Sequence, residues 1–172
     1  MNYEWGMPII HHSSFIIPNS SLKKMVLEDF IPLEGQRRIA EAITVAERCT
    51  SGEICVHVTP HCRGDVMRRA ERVFNGLGLY ATRHRNAVLI FVAYDDRRLA
   101  ILGDTSINAV VPKGLWDNEV RQLVQALQEG KVVDALCESI ARMGDVLGKY
   151  FPAEPDDKNE LSNEVSYDEE VD

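Results

Sequence analysis

Acidic side chains that could bind a hard cation stand beside apolar segments in the middle of the chain. Asp95 and Asp96 separate two apolar runs, and Asp104 directly follows the second run. Carboxylate oxygens are the ligands that Ca²⁺ and Mg²⁺ take in proteins. Short carboxylates also accept hydrogen bonds from nearby backbone amides, so the spacing favours a turn at Asp95 and Asp96 over a metal site there.

The apolar runs on either side of this turn predict two antiparallel strands. The first run, from Ala87 to Tyr94, is apolar without alternation, which indicates a strand covered on both faces. The second run extends from Leu99 to Gly103. Farther towards the N-terminus, residues 53–59 alternate between apolar and polar side chains, which predicts a third strand.

Helical periodicity in the other segments completes the expected fold. Apolar side chains recur at helical spacing in four segments, 32–49, 66–77, 116–127 and 133–150. Asp65 is placed to cap the second helix, and Pro152 ends the last one. We therefore predict an α/β fold, a three-layer α/β/α sandwich with a small mixed sheet that contains a parallel pair and an antiparallel hairpin.

This topology places several polar residues at one edge of the sheet. The strand that begins at Glu53 reaches the strand that begins at Asn86 through a helix, so the two are expected to be parallel. Asp104 ends the antiparallel strand at the same edge, and the next loop can fold Asp117 back over it. We predict a Ca²⁺ or Mg²⁺ site at Glu53, Asp104 and Asp117, with Asn86 completing the coordination shell and Arg85 orienting a carboxylate. The alternative roles are capping or turn formation for the first two acids and a first-turn helix position for the third.

The opposite edge collects residues that resemble a transition-metal set: His61, Cys62, Asp65, Asp95 and Asp96. Their irregular spacing favours a loop histidine beside a packing thiol over a metal site. For His57, burial under a helix is favoured over ligation. No activated serine nucleophile is recognisable, so covalent catalysis is not expected.

Charge divides the chain into segments. The net charge is −8, and residues 154–172 carry nine acids and one lysine, so the remainder is formally neutral. Nucleic-acid binders show a basic excess, and this function class is therefore not expected. We predict an N-terminal arm over residues 1–30 that is poorly ordered or loosely docked, a domain over 31–152 and an acidic disordered tail over 153–172.

The sequence also predicts a location. No segment has the length and apolarity of a membrane span, and the first residues lack the pattern of a signal peptide. The four cysteines lack the short paired spacing of a zinc ribbon or a thioredoxin-like site, which fits a reducing compartment. We expect a cytoplasmic monomer without membrane insertion.

Several strings of the sequence resemble the TPM domain family in their order and approximate spacing. They are Thr50–Ile54, Arg85–Ile90, Ile101–Asp104 with Ile107 and Asn108, and Phe151–Pro152. The resemblance covers about Glu34 to Pro152 and is strongest to the short soluble bacterial members, which also carry a His-Cys pair, a string like Gly114–Asp117 and an acidic tail. It implies an α/β/α sandwich and divalent-cation binding, and plant thylakoid relatives are proposed to be acid phosphatases.

Two function classes follow. The first is a non-enzymatic cation-binding module that presents a metal-stabilised loop edge to a protein partner. The second is a metal-assisted phosphatase that acts on phosphate monoesters, with Arg85 clamping the phosphate. The first class accounts for the acids, the missing nucleophile and the acidic tail.

Overall fold

A computed structural model describes residues 26–168, which form six α-helices, a short 3₁₀ turn and four strands. The elements in chain order are α1 (Leu27–Phe30), α2 (Leu33–Glu47), β1 (Ile54–Thr59), α3 (Val66–Gly76), the 3₁₀ turn (Leu79–Ala81), β2 (Val88–Ala93), β3 (Arg98–Gly103), α4 (Thr105–Val110), α5 (Leu115–Gln128), α6 (Val132–Tyr150) and β4 (Ser166–Tyr167).

The strands form one mixed sheet in the order β3-β2-β1-β4. β1 and β2 are parallel, from Ile54 opposite Val88 to Thr59 opposite Ala93. β2 and β3 form the predicted antiparallel hairpin. β4 adds a short parallel pairing to the outer edge of β1. The sandwich with a mixed sheet is therefore confirmed.

Helices cover both faces of the sheet, as the unbroken apolar run of β2 predicts. Val88, Ile90 and Val92 point into a core shared with α2, α5 and α6. Leu89 and Phe91 point into a second core on the other face, beneath α3. All six residues of β2 are buried, which removes their apolar surface from water and stabilises the fold.

A close contact between α2 and α6 positions the C-terminal end of α2. A Cβ added at Gly144 of α6 would lie 2.7 Å from the Cβ of Ala46, a distance that real Cβ atoms do not show. Glycine at this position therefore lets the two helices approach. Glu47, the last residue of α2, is held next to the start of β1 as a result.

The segment after β3 differs from the expected loop. Residues 105–110 form α4, and Asp104 is its N-cap, because the Asp104 carboxylate accepts a hydrogen bond from the Thr105 amide at 2.7 Å. The capping alternative for Asp104 is thus the one that the structure contains.

The two ends of the chain are partly described. The predicted arm over 1–30 lies mostly outside the described residues; its last part forms α1, where Phe30 stacks on Tyr94 with ring centroids 5.0 Å apart. Residues 153–168, which belong to the tail for which the sequence predicts disorder, pack against the domain in the structure. Val165 is 7% exposed and Leu161 packs on the second core, so apolar burial offsets the cost of ordering an acidic segment. In residues 26–168 we find no helix that combines the length and apolarity needed to cross a membrane.

Candidate functional site

Glu53 directly precedes β1 and is buried, with only 4% of its surface exposed. Its Oε1 atom accepts a hydrogen bond of 2.8 Å from the Glu160 amide. Its Oε2 atom is buried and accepts no hydrogen bond of ordinary geometry from the described residues. The Leu161 amide also interacts with this carboxylate, but Oε2 lacks a hydrogen bond of ordinary geometry. A buried carboxylate oxygen that is incompletely hydrogen-bonded is costly, so Glu53 is the predicted ligand that a positive partner would stabilise.

Asp104 is completely buried, and both of its oxygens are occupied. Arg85 donates from Nε to Oδ2 at 2.7 Å and from Nη2 to Oδ1 at 2.9 Å. This two-point geometry is the strongest form of the arginine–carboxylate pair. Arg85 therefore orients a carboxylate as expected, and a cation could reach Asp104 only by displacing it.

Asp117 lies in the first turn of α5, the alternative position noted for it. The neighbouring Trp116 turns into the core and donates a hydrogen bond to Asn108 Oδ1 at 3.1 Å, which fixes the start of this helix. Within the chain from Val26 to Asp168, no three His, Cys, Asp or Glu side chains are arranged as a metal-binding group. The structure therefore does not assemble Glu53, Asp104 and Asp117 into one site.

Asn86 lies beside β1 as expected. Its Nδ2 atom donates to Ser51 Oγ at 3.2 Å. Its Oδ1 atom is buried and has no hydrogen-bond partner among the described residues. Two unpartnered acceptor oxygens, one from Glu53 and one from Asn86, therefore occur where β1 and β2 begin.

A cleft with acidic walls opens beside Glu53. It encloses about 300 Å³ between the end of α2, the turn before β1 and the C-terminal segment. We call it the acidic cleft and define it by its four carboxylate residues, Glu47, Glu53, Glu154 and Asp157; the lining also includes one cationic residue, Arg48.

The electrostatics of the cleft penalise its negative charges. Burial raises the pKa of Glu47 to about 7, against the opposing hydrogen bond from the Ile54 amide, and the charge of Glu53 raises it further. Burial also raises the pKa of Glu53, against the opposing hydrogen bonds of the Glu160 and Leu161 amides, and the charges of Glu160 and Asp157 raise it further. Like charges held close together out of water favour protonation or a bound cation.

The C-terminal segment is held over the cleft by contacts with the body. The Arg83 amide donates to both carboxylate oxygens of Glu160 at 3.1 Å, and the Arg83 guanidinium pairs with Asp156 at 3.4 Å. Asn163 donates to Thr44 Oγ1 at 3.0 Å. Residues far apart in sequence thereby form one wall.

Sequence reasoning did not identify Glu47, Glu154 and Asp157. One signal was available for Glu47: it is an acid in the last turn of a helix whose last turn has no basic residue, a position that the helix dipole disfavours. Nothing in the sequence distinguishes Glu154 and Asp157 from the other acids of the tail.

The residues at the opposite edge that resemble a transition-metal set have structural roles, the alternative that the sequence favours. His61 Nδ1 lies 3.1 Å from Asp96 Oδ1, and the Cys62 amide donates to Asp96 Oδ2 at 2.6 Å. Asp65 caps α3 by accepting from the Arg68 amide, as predicted. Cys62 is buried in the second core, which agrees with the packing interpretation.

His57 is a buried packing residue. Its ring stacks on Phe91, and Nδ1 lies 3.0 Å from Ser166 Oγ on β4. Burial lowers its pKa, although Asp168, 3.4 Å from Nε2, opposes this effect. The neutral ring therefore joins β1 to the C-terminal segment.

Comparisons with known proteins agree with the fold. The family model described as TPM domain matches residues 26–146. A similar solved structure is the NMR structure of the BA42 protein from the psychrophilic bacterium Bizionia argentinensis, which is 38% identical with a TM-score of 0.77. That match covers 83% of this chain and 99% of the BA42 chain. No curated protein matches the sequence. The chain belongs to the TPM domain family.

Proposed function

We propose that the acidic cleft binds a divalent cation, Ca²⁺ or Mg²⁺, and that the chain is a non-enzymatic, cation-dependent interaction module. The observation that carries the proposal is the buried, unpartnered Oε2 atom of Glu53 in a cleft whose other walls carry Glu47, Glu154 and Asp157. Hard oxygen donors of this kind suit these two cations.

The donor set favours a site that closes around the cation. Glu53 is held rigidly by the Glu160 amide, whereas Asp157 is exposed and can move inward. Glu154 lies 3.5 Å from Arg83 and 3.4 Å from His84, so it must leave these partners before it can bind a cation. This movement accounts for the absence of a converged three-residue group in the described part of the chain. The proposed ligands retain Glu53 and replace Asp104 and Asp117, because Asp104 is engaged by Arg85.

A bound cation would lower the cost of charge in the cleft. The raised pKa values of Glu47 and Glu53 mean that the empty cleft resists losing protons. A cation favours the charged carboxylates, so binding releases protons and strengthens as the pH rises through about 7. It also links the end of α2 to the C-terminal segment, which provides a surface whose shape depends on the cation. We further propose that a protein partner in the cytoplasm recognises the cation-bound monomer.

The phosphatase alternative is less favoured by the geometry. Arg85, the expected phosphate clamp, places two nitrogens on Asp104. A guanidinium held in this way must break a partly buried ion pair before it can bind a phosphate. Metal-dependent turnover of an aryl phosphate that is abolished in Glu53→Gln would nevertheless establish an enzyme.

The test is a Ca²⁺ and Mg²⁺ titration of the isotope-labelled chain, followed by backbone amide shifts. We expect saturable shifts at Glu47, Glu53 and Asp157, and at least a tenfold loss of affinity in Glu53→Gln. Glutamine retains the acceptor for the Glu160 amide and removes the charge. Glu41→Gln is the control, since Glu41 is an exposed acid of α2 that lies outside the cleft. Shifts spread along the acids without saturation, or equal effects of both variants, would refute the site.

A further inference from the structure

A second and larger cavity lies at the other end of the sheet. It encloses about 760 Å³ between α1, the β2–β3 hairpin, the end of α5 and the start of α6, and we call it the hairpin cavity. This volume is in the range of cavities that bind small organic molecules. Its walls include the apolar side chains of Phe30, Tyr94, Leu99, Val124 and Leu127.

One wall offers a surface for a flat ligand. Phe30 and Tyr94 both line the cavity, and their rings stack on each other with planes 19° apart, so each ring covers one face of the other. Aromatic rings bury large areas of planar ligands and favour offset stacking. The ligand body that fits this wall is planar and apolar.

The charged groups around the cavity favour an anion. Four of the lining residues are cationic and two are acidic, although the whole chain has a net charge of −8; they are Arg38, Arg97, Arg98 and Lys131, against Asp29 and Asp134. The Arg98 guanidinium donates to the carbonyls of Cys62 and Gly64. Arg38 and Lys131 lie near the start of α6, and each is an exposed cation that pairs with one acid, Asp134 and Glu129 respectively.

The N-terminus of α6 adds donors at the same place. α6 is 19 residues long, and its N-cap residue, Lys131, makes no side-chain capping hydrogen bond. The first amides of an uncapped helix bind anions, and the helix dipole contributes about half a positive charge there. Arg38 is held beside this turn by its 2.7 Å hydrogen bond from Nη2 to Asp134 Oδ1.

The local charge selects a singly charged anion. Arg38, Lys131 and the helix end together contribute about two and a half positive charges, and their paired acids, Asp134 and Glu129, remove two. A singly charged anion brings this end of the cavity to about minus one half, whereas a doubly charged group brings it to about minus one and a half.

We propose that the hairpin cavity binds a small aromatic carboxylate. Its carboxylate lies at the first turn of α6 between Arg38 and Lys131, and its ring lies against Phe30 and Tyr94. The chain's own residues 1–25 are a poor alternative occupant, because their side chains carry one acid and two lysines and so have the same sign as the cavity.

The test uses 2-naphthoate and its neutral analogue 2-naphthamide as probes, titrated into the isotope-labelled full chain. We expect one saturable site for 2-naphthoate, with amide shifts at the hairpin and residues 130–134, and about tenfold weaker binding of 2-naphthamide. Arg38→Gln should weaken 2-naphthoate about tenfold, as expected for loss of a charge-assisted hydrogen bond. The matched control is Arg37→Gln: Arg37 is next to it in α2, pairs with Glu34 and does not line the cavity.

Three results would overturn the proposal. Equal affinities for the two probes would show an apolar cavity without anion recognition. Equal effects of the two arginine variants would show general electrostatic attraction. Nuclear Overhauser contacts between residues 1–25 and the side chain of Leu127 in the full chain would assign the cavity to the chain's own N-terminal segment.

Discussion

The two ends of the sheet differ in charge and in how they are built. The acidic cleft beside the start of β1 is small, and half of its carboxylates come from the C-terminal segment. The hairpin cavity beside the end of β2 is larger, and its lining combines apolar side chains with four cationic and two acidic residues. One sheet thus separates a region suited to cations from a region suited to anions, a distinction that a net charge of −8 conceals.

The largest expected effect comes from detaching the C-terminal segment. Val165 is 7% exposed and packs in the core shared with α2, α5 and α6. Val165→Asp would bury a charge there and should lower the free energy of unfolding by about 3 kcal/mol. Denaturant unfolding measures this loss. Cation binding should weaken strongly while 2-naphthoate binding persists, because only the acidic cleft depends on this segment. Val110→Asp at an exposed valine is the control, and a parallel loss of both ligands would contradict the separation of the two regions.

Asp104→Asn tests whether the buried ion pair belongs to the cation site. Removing one partner leaves Arg85 without its carboxylate, and since Arg85 is partly exposed we expect a loss of about 2 kcal/mol in the free energy of unfolding. The cation dissociation constant should be unchanged within about twofold. A tenfold weaker cation affinity in the folded variant would restore Asp104 as a ligand.

Glu47 should make the acidic cleft sensitive to pH. Its pKa of about 7 in the folded protein is above the ordinary value of 4.5, so its contribution to stability is fully present below 4.5 and is lost as the pH rises through about 7. Glu47→Gln should remove this part of the pH dependence and stabilise the cation-free protein at pH 8 by about 1 kcal/mol, a value reduced for solvent screening. Denaturant midpoints at pH 5 and pH 8 measure the effect. Identical pH profiles of both proteins would contradict the role of Glu47.

The smallest effect is expected at the rim of the hairpin cavity. Lys131 is exposed and pairs with Glu129 at 3.1 Å, so Lys131→Gln should weaken 2-naphthoate only about threefold. Titrations at low salt measure the change, with Lys113→Gln, an exposed lysine outside the cavity, as the control. Tighter binding in Lys131→Gln would show that this lysine does not face the anion.

Among the described residues, three of the four strands and most helices could be predicted because their signals are local. The unbroken apolar run at 87–94 predicts a strand covered on both faces, and both faces of β2 are buried. Asp65 caps α3 as its position before an amphipathic segment indicates. The helix after Asp104 was not predicted, because six residues are too few to show a helical period.

The candidate site could be predicted only in part. Glu53 was identified because it begins a strand, and its burial agrees with the importance given to it. Asp104 and Asp117 were grouped with it from the edge of the sheet alone. Topology indicates which end of a strand a residue occupies, but it does not show that Arg85 already holds one of the carboxylates.

By itself, the sequence determined the mixed sheet, the helices on both faces and the identity of Glu53 as a polar residue at the start of a strand, since periodicity and strand order depend on neighbouring residues. Only the tertiary structure decided which charges meet. Glu47 and Asp157 reach Glu53 from opposite directions along the chain, and Arg38 reaches the start of α6 at the surface, where α2 and α6 lie side by side. Such contacts depend on how the helices and the C-terminal segment pack. Burial of Leu161 and Val165 holds the acids of this segment close to other acids, a position that charge repulsion alone would oppose.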